Sequence, residues 1–441
     1  MSFGGRQIVV ALCSAAVFLT SNDVRAQSAA APPPDSAASV GQHDHMQMNM
    51  PNMPLDNGWR FMQDGIVFAE FNQQGGPRGG KEFIAPNWWM GMAIRNTARG
   101  RLALTGMLSL DPATVGKDGY REIFQVGEAL NGRPLIDRQH PHDLFMQLAA
   151  VWRTPVSDST GFTLAGAPVG EPALGPVAFM HRASAADNPT APLSHHTFDS
   201  THIAFGVVTA AVDHGPWVVE GSLFNGREPD ENRWDFDFGR LDSVSGRVWY
   251  KPNDEWELQA SSGHLKSPEA FEPGNVVRST ASASWTQKNG ATISSVTAGY
   301  GRNDTDHGAR NAFFLEGSHH AEMNTFHGRF EALQVETALL QTGLALGGPA
   351  ADVKDPVYAL TIGGVRDLVA WHGFESGFGA DVSVYGVPDT LQPTYSAHPV
   401  SFKVFFRLRP PMGSMGRMWN MRMSQPMAGH NMPTPTTHHM P

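Results

Sequence analysis

Apolar and polar residues alternate along much of the chain from Trp59 onward, in short stretches separated by Gly, Pro, Asn and Asp. The clearest example is SFKVFFRLR at 401–409, where the even positions are apolar and most odd positions, including Lys403 and Arg407, are polar. Successive side chains of a β-strand point to opposite faces, so this stretch has one apolar and one polar face. The pattern predicts a strand that separates an apolar environment from a wet one.

The same alternation recurs along the chain; at 201–212 it places Phe205 and Val207 on the apolar face. Sixteen strands are predicted, near 59–71, 87–97, 101–110, 143–153, 160–167, 201–212, 217–225, 242–251, 255–264, 277–287, 291–300, 311–318, 323–340, 357–371, 374–386 and 399–409. Short and long links alternate between them, as in transmembrane β-barrels, which have an even strand number, short turns at one end and long loops at the other. The predicted fold is all-β, a transmembrane antiparallel β-barrel of about 16 strands over 57–410.

The first residues predict export. An apolar run at 8–20 precedes a Val-x-Ala pattern that ends at Ala26, which is typical of a secretory signal peptide over 1–26. Its removal takes away Arg6, Arg25 and Asp23, so the net charge changes from −10 to −11. It also removes the single cysteine of the chain, which excludes disulfides and thiolate metal sites in the mature protein. Acidity and export argue against nucleic acid as a partner.

Two tails of biased composition flank the predicted barrel, at 27–56 and 411–441, and both are expected to be disordered. Thioethers bind soft ions such as Cu(I), and imidazoles bind Cu(II) as well, so copper is the expected metal. The candidate ligands are His43, His45, Met46, Met48, Met50, Met53, Met412, Met415, Met418, Met421, Met423, Met427, His430, Met432, His438, His439 and Met440. Two alternatives stay open. The tails bind nothing, or Met418, Trp419 and Met421 lie against the membrane surface or plug the lumen.

A second set of candidate ligands lies in the long loops that precede or follow strands. They are His140, His142, His181, His195 and His196. Long barrel loops commonly fold into the lumen, where histidines from different loops can meet at one metal ion. The alternative is a hydrogen-bonded, salt-bridged constriction without metal. Ser194, His195 and Asp199 are too close in sequence to predict a hydrolytic triad, so no enzyme activity is expected.

The exported His/Met-rich start and β-rich body resemble the outer-membrane copper-resistance protein B family of Gram-negative bacteria. The loops DRQHPHD, MHRASAADNP…SHH and FNGREPDENRWDFD are similar to exported barrel proteins associated with metal tolerance. This resemblance implies copper or heavy-metal tolerance at the outer membrane. The expected partners are outer-membrane lipid, metal ions and periplasmic copper-handling proteins, with a homo-trimer as one expected assembly.

The sequence therefore predicts a copper-binding outer-membrane barrel with both termini in the periplasm, which captures ions on its tails. The main alternative is a general solute porin with incidental tails. A soluble exported β protein that scavenges metal and an outer-membrane hydrolase are two further alternatives.

Overall fold

The computed structural model of the protein describes residues 58–271, 274–344, 352–411 and 417–426. The predicted signal peptide, the N-terminal tail and its six candidate ligands lie outside these ranges. Eight C-terminal candidates also lie outside them: Met412, Met415, Met427, His430, Met432, His438, His439 and Met440. In the described ranges, no helix has the length and apolar character needed to cross a membrane.

The described chain is dominated by antiparallel strands. In chain order they are β1 (Trp59–Gln74), β2 (Gly80–Ile84), β3 (Asn87–Thr97), β4 (Gly100–Leu108), β5 (Tyr120–Leu130), β6 (Arg133–Gln139), β7 (Phe145–Ser157), β8 (Thr160–Gly170), β9 (Ala204–His214), β10 (Trp217–Phe224), β11 (Ser243–Tyr250), β12 (Trp256–Leu265), β13 (Val276–Asn289), β14 (Thr292–Thr305), β15 (Gly308–Ala321), β16 (Asn324–Glu336), β17 (Lys354–Asp367), β18 (Glu375–Gly386) and β19 (Val400–Arg409). Short helical segments are α1 (Asp111–Thr114), α2 (His195–Phe198), α3 (Thr337–Thr342) and α4 (Gln392–Tyr395), with 3-10 turns at Phe179–His181 and Ser200–His202.

The strands close into a barrel, because β1 pairs with β19 on one side and with β2 and β3 on the other. β2 and β3 together fill one strand position, interrupted at 85–86, while β5 and β6 pair only with each other. The circuit therefore has sixteen positions, and the predicted fold and strand number are confirmed. In register, Val67 lies opposite Leu408 at the closing seam.

The alternation in β19 divides the strand as predicted. Ser401, Lys403 and Arg407 are buried in the lumen, whereas Phe402 and Val404 are 41% and 50% exposed on the outside. Many exposed large apolar side chains lie on the outer faces of the other strands too. A closed barrel leaves no unpaired strand edge, and an apolar outer surface is what such a barrel turns to lipid.

Two details differ from the expected pattern. Phe205 and Val207 of β9 face the lumen and are buried, while Val208 is on the outside. Apolar side chains are tolerated there because the lumen is packed rather than water-filled. The link expected at 301–310 is reduced to 306–307, because β14 and β15 extend further than predicted.

The short links, such as 98–99, 158–159, 215–216 and 290–291, lie at one end of the barrel. β1 begins at this end, since Trp59 pairs with Arg95 near the end of β3. β19 ends there too, since Arg409 pairs with Glu375 at the start of β18. Both ends of the barrel chain therefore emerge at the short-turn end. The assignment of this end to the periplasm stays a prediction.

Two segments fill the lumen. The plug loop, residues 171–203, connects β8 to β9 and is buried almost throughout. The tail segment, residues 417–426, enters the lumen from the short-turn end. Met418, Met421 and Met423 are buried in it, which differs from the disordered tail expected over 411–441. This position agrees with the alternative prediction that Met418 and Met421 plug the lumen.

Candidate functional site

The plug loop is fixed to the barrel wall by buried ion pairs. The guanidinium of Arg182 donates to Glu316 of β15 at 2.6 Å and to Asp199 of the same loop at 2.8 Å. On other walls, Arg247 of β11 donates to Glu171 at 2.9 Å, and Arg407 of β19 pairs with Asp187. The charged side chains of the wall are thus neutralised by charges of the plug loop, and these ion pairs hold the loop across the barrel.

Ser194 serves the same anchoring purpose. Its hydroxyl donates to Glu331 of β16 at 2.8 Å, and its backbone N–H donates to the same carboxylate oxygen at 3.0 Å. Its neighbour His195 is hydrogen-bonded to Asp199 instead. Ser194 is therefore held by a wall carboxylate.

Five histidines meet where the plug loop contacts the segment between β6 and β7. Their ring centroids lie 5.4 Å apart for His140–His196, 5.9 Å for His140–His195 and 5.4 Å for His195–His196. The chain of rings continues through His202, which lies 5.2 Å from His195 and 5.6 Å from His142. We call these five residues the histidine cluster. His140, His195 and His202 are buried, and His142 and His196 are nearly so.

Local structure explains these positions. His140 and His142 follow β6, in the turn through Pro141 that leads into β7. His195 and His196 begin α2, and His202 ends the 3-10 turn just before β9. The cluster therefore depends on the plug loop folding back against the β5–β6 hairpin.

Each ring of the cluster is oriented by an acceptor at Nδ1. The carboxylates of Asp111, Asp199 and Glu228 accept from the rings of His142, His195 and His196 at 2.8, 2.7 and 2.9 Å, respectively. The carbonyl oxygens of Pro141 and Asp199 accept from His140 at 3.2 Å and His202 at 2.8 Å. Because these oxygens only accept, Nδ1 carries the proton, and in a neutral ring Nε2 keeps its lone pair.

The five Nε2 atoms are buried, and none has a hydrogen-bond partner among the described residues. Buried polar nitrogens are normally satisfied, so each such atom calls for a ligand. A carboxylate or carbonyl at Nδ1 with Nε2 left free is the arrangement in which histidines bind metal ions. The cluster therefore has the donor atoms and the supporting acceptors of a transition-metal site.

Protonation differs within the cluster. Burial, together with the neighbouring histidines, lowers the pKa of His140 and His202 well below the ordinary value, and burial lowers that of His195 to about 4 despite Asp199. These three rings are neutral at pH 7 and can bind metal directly. Burial also opposes charge on His196, but Glu228 and Glu269 outweigh it and raise its pKa, so this ring carries a proton.

The five rings are close together, but their Nε2 atoms do not converge on one position where a metal ion could bind. Among the described residues, two sets of three acidic or histidine side chains have ligand atoms within 4.8 Å of one another: His196 with Glu228 and Glu269, and the exposed trio Asp230, Asp235 and Asp237. Three Nε2 atoms of the histidine cluster do not form such a set. Binding of one ion by three of these rings therefore requires a rearrangement of side chains.

The structure brings together four of the five loop histidines predicted as ligands. The fifth, His181, lies in the plug loop as well, but its ring packs on Trp88, with 4.9 Å between the ring centroids. His202, Asp111 and Glu128, whose carboxylate lies 3.2 Å from Nδ1 of His140, were not among the predicted metal ligands. The spacing of His195 and Asp199 on one helical face was a usable signal for their pairing. No sequence signal indicated Asp111, because it contacts His142 only once the intervening segment has folded.

No protein-family model matches the chain, and no curated protein sequence matches it. Several solved structures do. An anion-selective porin from Comamonas acidovorans is 11% identical, with a TM-score of 0.48, over 80% of this chain and 100% of the porin. A loop-deletion mutant of OmpT, an outer membrane protein of Vibrio cholerae, is 10% identical with a TM-score of 0.47, over 80% of this chain and 99% of its own. Salmonella typhi OmpF in complex with daunomycin is 8% identical with a TM-score of 0.48, over 80% and 98%. Such low values do not assign a function.

Proposed function

We propose that the protein is an outer-membrane β-barrel that binds a transition-metal ion in its plugged lumen, at the histidine cluster. The observation that carries this proposal is the set of five buried Nε2 atoms without partners, each on a ring whose Nδ1 is held by an oxygen acceptor. Neutral imidazoles suit Cu(II), Zn(II) and Ni(II), and copper remains the metal that the tail composition favours.

A general solute porin is the second candidate. The sixteen-stranded architecture with short turns and long loops favours it. The plug loop argues against free diffusion, because its ion pairs reach β11, β15 and β19 on different sides of the lumen. In the proposed function, ions therefore bind in the lumen, and passage requires the plug to move.

The remaining parts of the proposal rest on the sequence. The N-terminal and C-terminal tails would capture copper in the periplasm and deliver it to, or receive it from, copper-handling proteins. The relation to the copper-resistance protein B family and a trimeric assembly belong to this proposal as well.

Metal analysis of detergent-purified protein tests the histidine cluster. The variant His140→Gln/His195→Gln/His196→Gln should bind about one transition-metal ion fewer per chain than the unaltered protein. His319→Gln is the matched control, because His319 is an exposed histidine on β15. Equal metal content in the triple variant and the unaltered protein would refute the site. Free solute flux and equal conductance in the triple variant and the unaltered protein would favour the general solute porin.

A further inference from the structure

We propose a second metal site in the lumen, beyond the histidine cluster: a thioether site for a soft monovalent cation, Cu(I) or Ag(I). It consists of methionines on the wall and methionines of the tail segment that faces this wall. We call the wall residues Met62, Met90, Met92, Met107 and Met146 the thioether patch.

Strand register places the wall methionines side by side. Met62 of β1 lies opposite Met92 of β3, and Asp64 lies opposite Met90 in the same strand pair. Met90 in turn lies opposite Met107 of β4. Residues directly opposite on one face of an antiparallel pair have Cβ atoms about 4.5–5.5 Å apart, within reach of long side chains. Two thioether pairs therefore lie side by side on the wall, Met62–Met92 across β1 and β3 and Met90–Met107 across β3 and β4.

These side chains point inward. Met90, Met92 and Met107 are buried, and the outward-pointing neighbour of Met62, Phe61, is 78% exposed. Met146 of β7 is buried at a β-bulge beside Met107, where the pairing register of β4 and β7 shifts between Met107 and Leu108. The patch is thus part of the lumen wall.

The tail segment crosses in front of this patch. The backbone N–H of Met418 donates to Asp64 at 2.8 Å, and the guanidinium of Arg417 lies 3.0 Å from the same carboxylate. Since Asp64 is the register partner of Met90, Met418 lies beside the patch. The other end of the tail segment contacts β8. A Cβ atom at Gly170 would lie only 2.6 Å from the sulfur of Met423.

The segment is held in place from both sides of the lumen. Asn420 donates its backbone N–H to the carbonyl of His181 at 2.7 Å, and its side-chain oxygen accepts from Ala183 at 3.2 Å. Arg422 stacks on Trp249 at 4.0 Å, and Ser424 bonds to Glu220. Met421 and Met423 are therefore fixed inside the lumen, in one apolar cluster with the patch.

The chemistry of the patch is that of a soft site. Thioether sulfur is uncharged and polarisable, and it prefers Cu(I) and Ag(I) over hard cations. Methionine also fills irregular gaps in apolar cores, and this purely structural role predicts no metal at all. The two roles separate in one substitution: leucine has nearly the volume of methionine, so Met→Leu keeps the packing but removes the sulfur.

The test is a titration of the full-length protein with Ag(I), followed by X-ray absorption of the bound ion. The variant Met62→Leu/Met90→Leu/Met92→Leu/Met107→Leu should bind about one Ag(I) fewer per chain and show fewer sulfur neighbours around the ion. Met323→Leu is the control, because Met323 lies in the turn between β15 and β16. Heat-modifiable migration in gels checks that the variant barrel is folded.

Equal Ag(I) content and equal sulfur coordination in the quadruple variant and the unaltered protein would overturn the proposal, and so would the same loss in Met323→Leu. The histidine triple variant distinguishes the two sites. It should retain sulfur-coordinated Ag(I) even if the histidine cluster proves not to bind metal.

Discussion

Asp199 anchors two rings of the histidine cluster, and thereby fixes His195 and His202 at 5.2 Å from each other. Its carboxylate accepts from Nδ1 of His195 at 2.7 Å, while its backbone carbonyl accepts from Nδ1 of His202 at 2.8 Å. The second oxygen of the same carboxylate accepts from Arg182 at 2.8 Å. One residue therefore links metal-ligand orientation to the ion pairs that hold the plug loop.

The carboxylate of Asp199 should strengthen metal binding through His195. Asp199→Asn should lower the affinity for the transition-metal ion by about 10- to 100-fold, because loss of an outer-shell carboxylate leaves the imidazole less basic and less well oriented. Isothermal titration calorimetry with Zn(II) measures the effect. Asp230→Asn, in the exposed acidic trio, should leave this affinity unchanged; an equal loss in both variants would contradict the role of Asp199.

Metal binding should release protons near neutral pH. The pKa of His196 is raised, so its ring is protonated at pH 7 and must lose its proton before Nε2 can bind a metal ion. The other rings with lowered pKa values are already neutral there and release none. Calorimetry in buffers of different ionisation enthalpy should detect about one proton per ion.

The variant His196→Gln should abolish this proton release. Acidification should weaken metal binding by the unaltered protein progressively, because protons compete more strongly for His196 as the pH falls below its raised pKa. Proton release that persists in His196→Gln would show that another group supplies the proton.

The plug loop should loosen when its buried ion pair is broken. Arg182→Met leaves Glu316 and Asp199 without this cation, and loss of one partner of a buried pair costs about 3–5 kcal/mol. We expect higher and noisier conductance in planar bilayers. Arg302→Met is the control, since its ion pair with Asp304 is exposed, and it should behave like the unaltered protein.

The tail segment should close the short-turn end of the lumen. Deleting 412–441 removes Met418 and its hydrogen bond to Asp64, whereas deleting 427–441 leaves this segment in place. Single-channel conductance should rise in the first variant and not in the second. Both deletions should lower copper content if the distal tail binds copper, which separates capture by the tail from closure by the segment.

The outer face should require lipid. Val404→Lys places a charge on the exposed apolar side of β19 and should cost about 2–4 kcal/mol if this face lies at the bilayer centre. The expected result is reduced assembly in the outer-membrane fraction. Ser159→Lys, in a two-residue turn, should assemble normally. Release of the unaltered protein by carbonate extraction would favour the soluble alternative.

The strand pattern was predictable because it is local. Alternation of side chains in segments such as 401–409 is a property of neighbouring residues, and it fixes which face of β19 is polar whatever lies across the lumen. The β5–β6 hairpin was missed for the opposite reason. Its pairing register shifts twice, and Phe124 and Glu128 have positive φ angles, so it lacks a regular period.

The candidate site was predictable in part. The sequence singled out His140, His142, His195 and His196 because they are dense in two long loops. It did not reveal that Asp111 orients His142 across 31 residues of sequence, or that His202 joins the same cluster. Such contacts depend on how irregular loops fold together, and no periodic pattern encodes this.

The sequence by itself determined about sixteen strands, the polar and apolar faces of strands such as β19, and the common end at which the barrel chain begins and ends, because each follows from a two-residue period and from link lengths. The tertiary structure decided what fills the barrel. Burial of the plug loop against charged wall residues brought the five imidazoles together. Met418, Met421 and Met423, predicted in a disordered tail, are buried in the lumen. Packing between segments distant in the chain is a property of the folded molecule as a whole, so only the fold could set it.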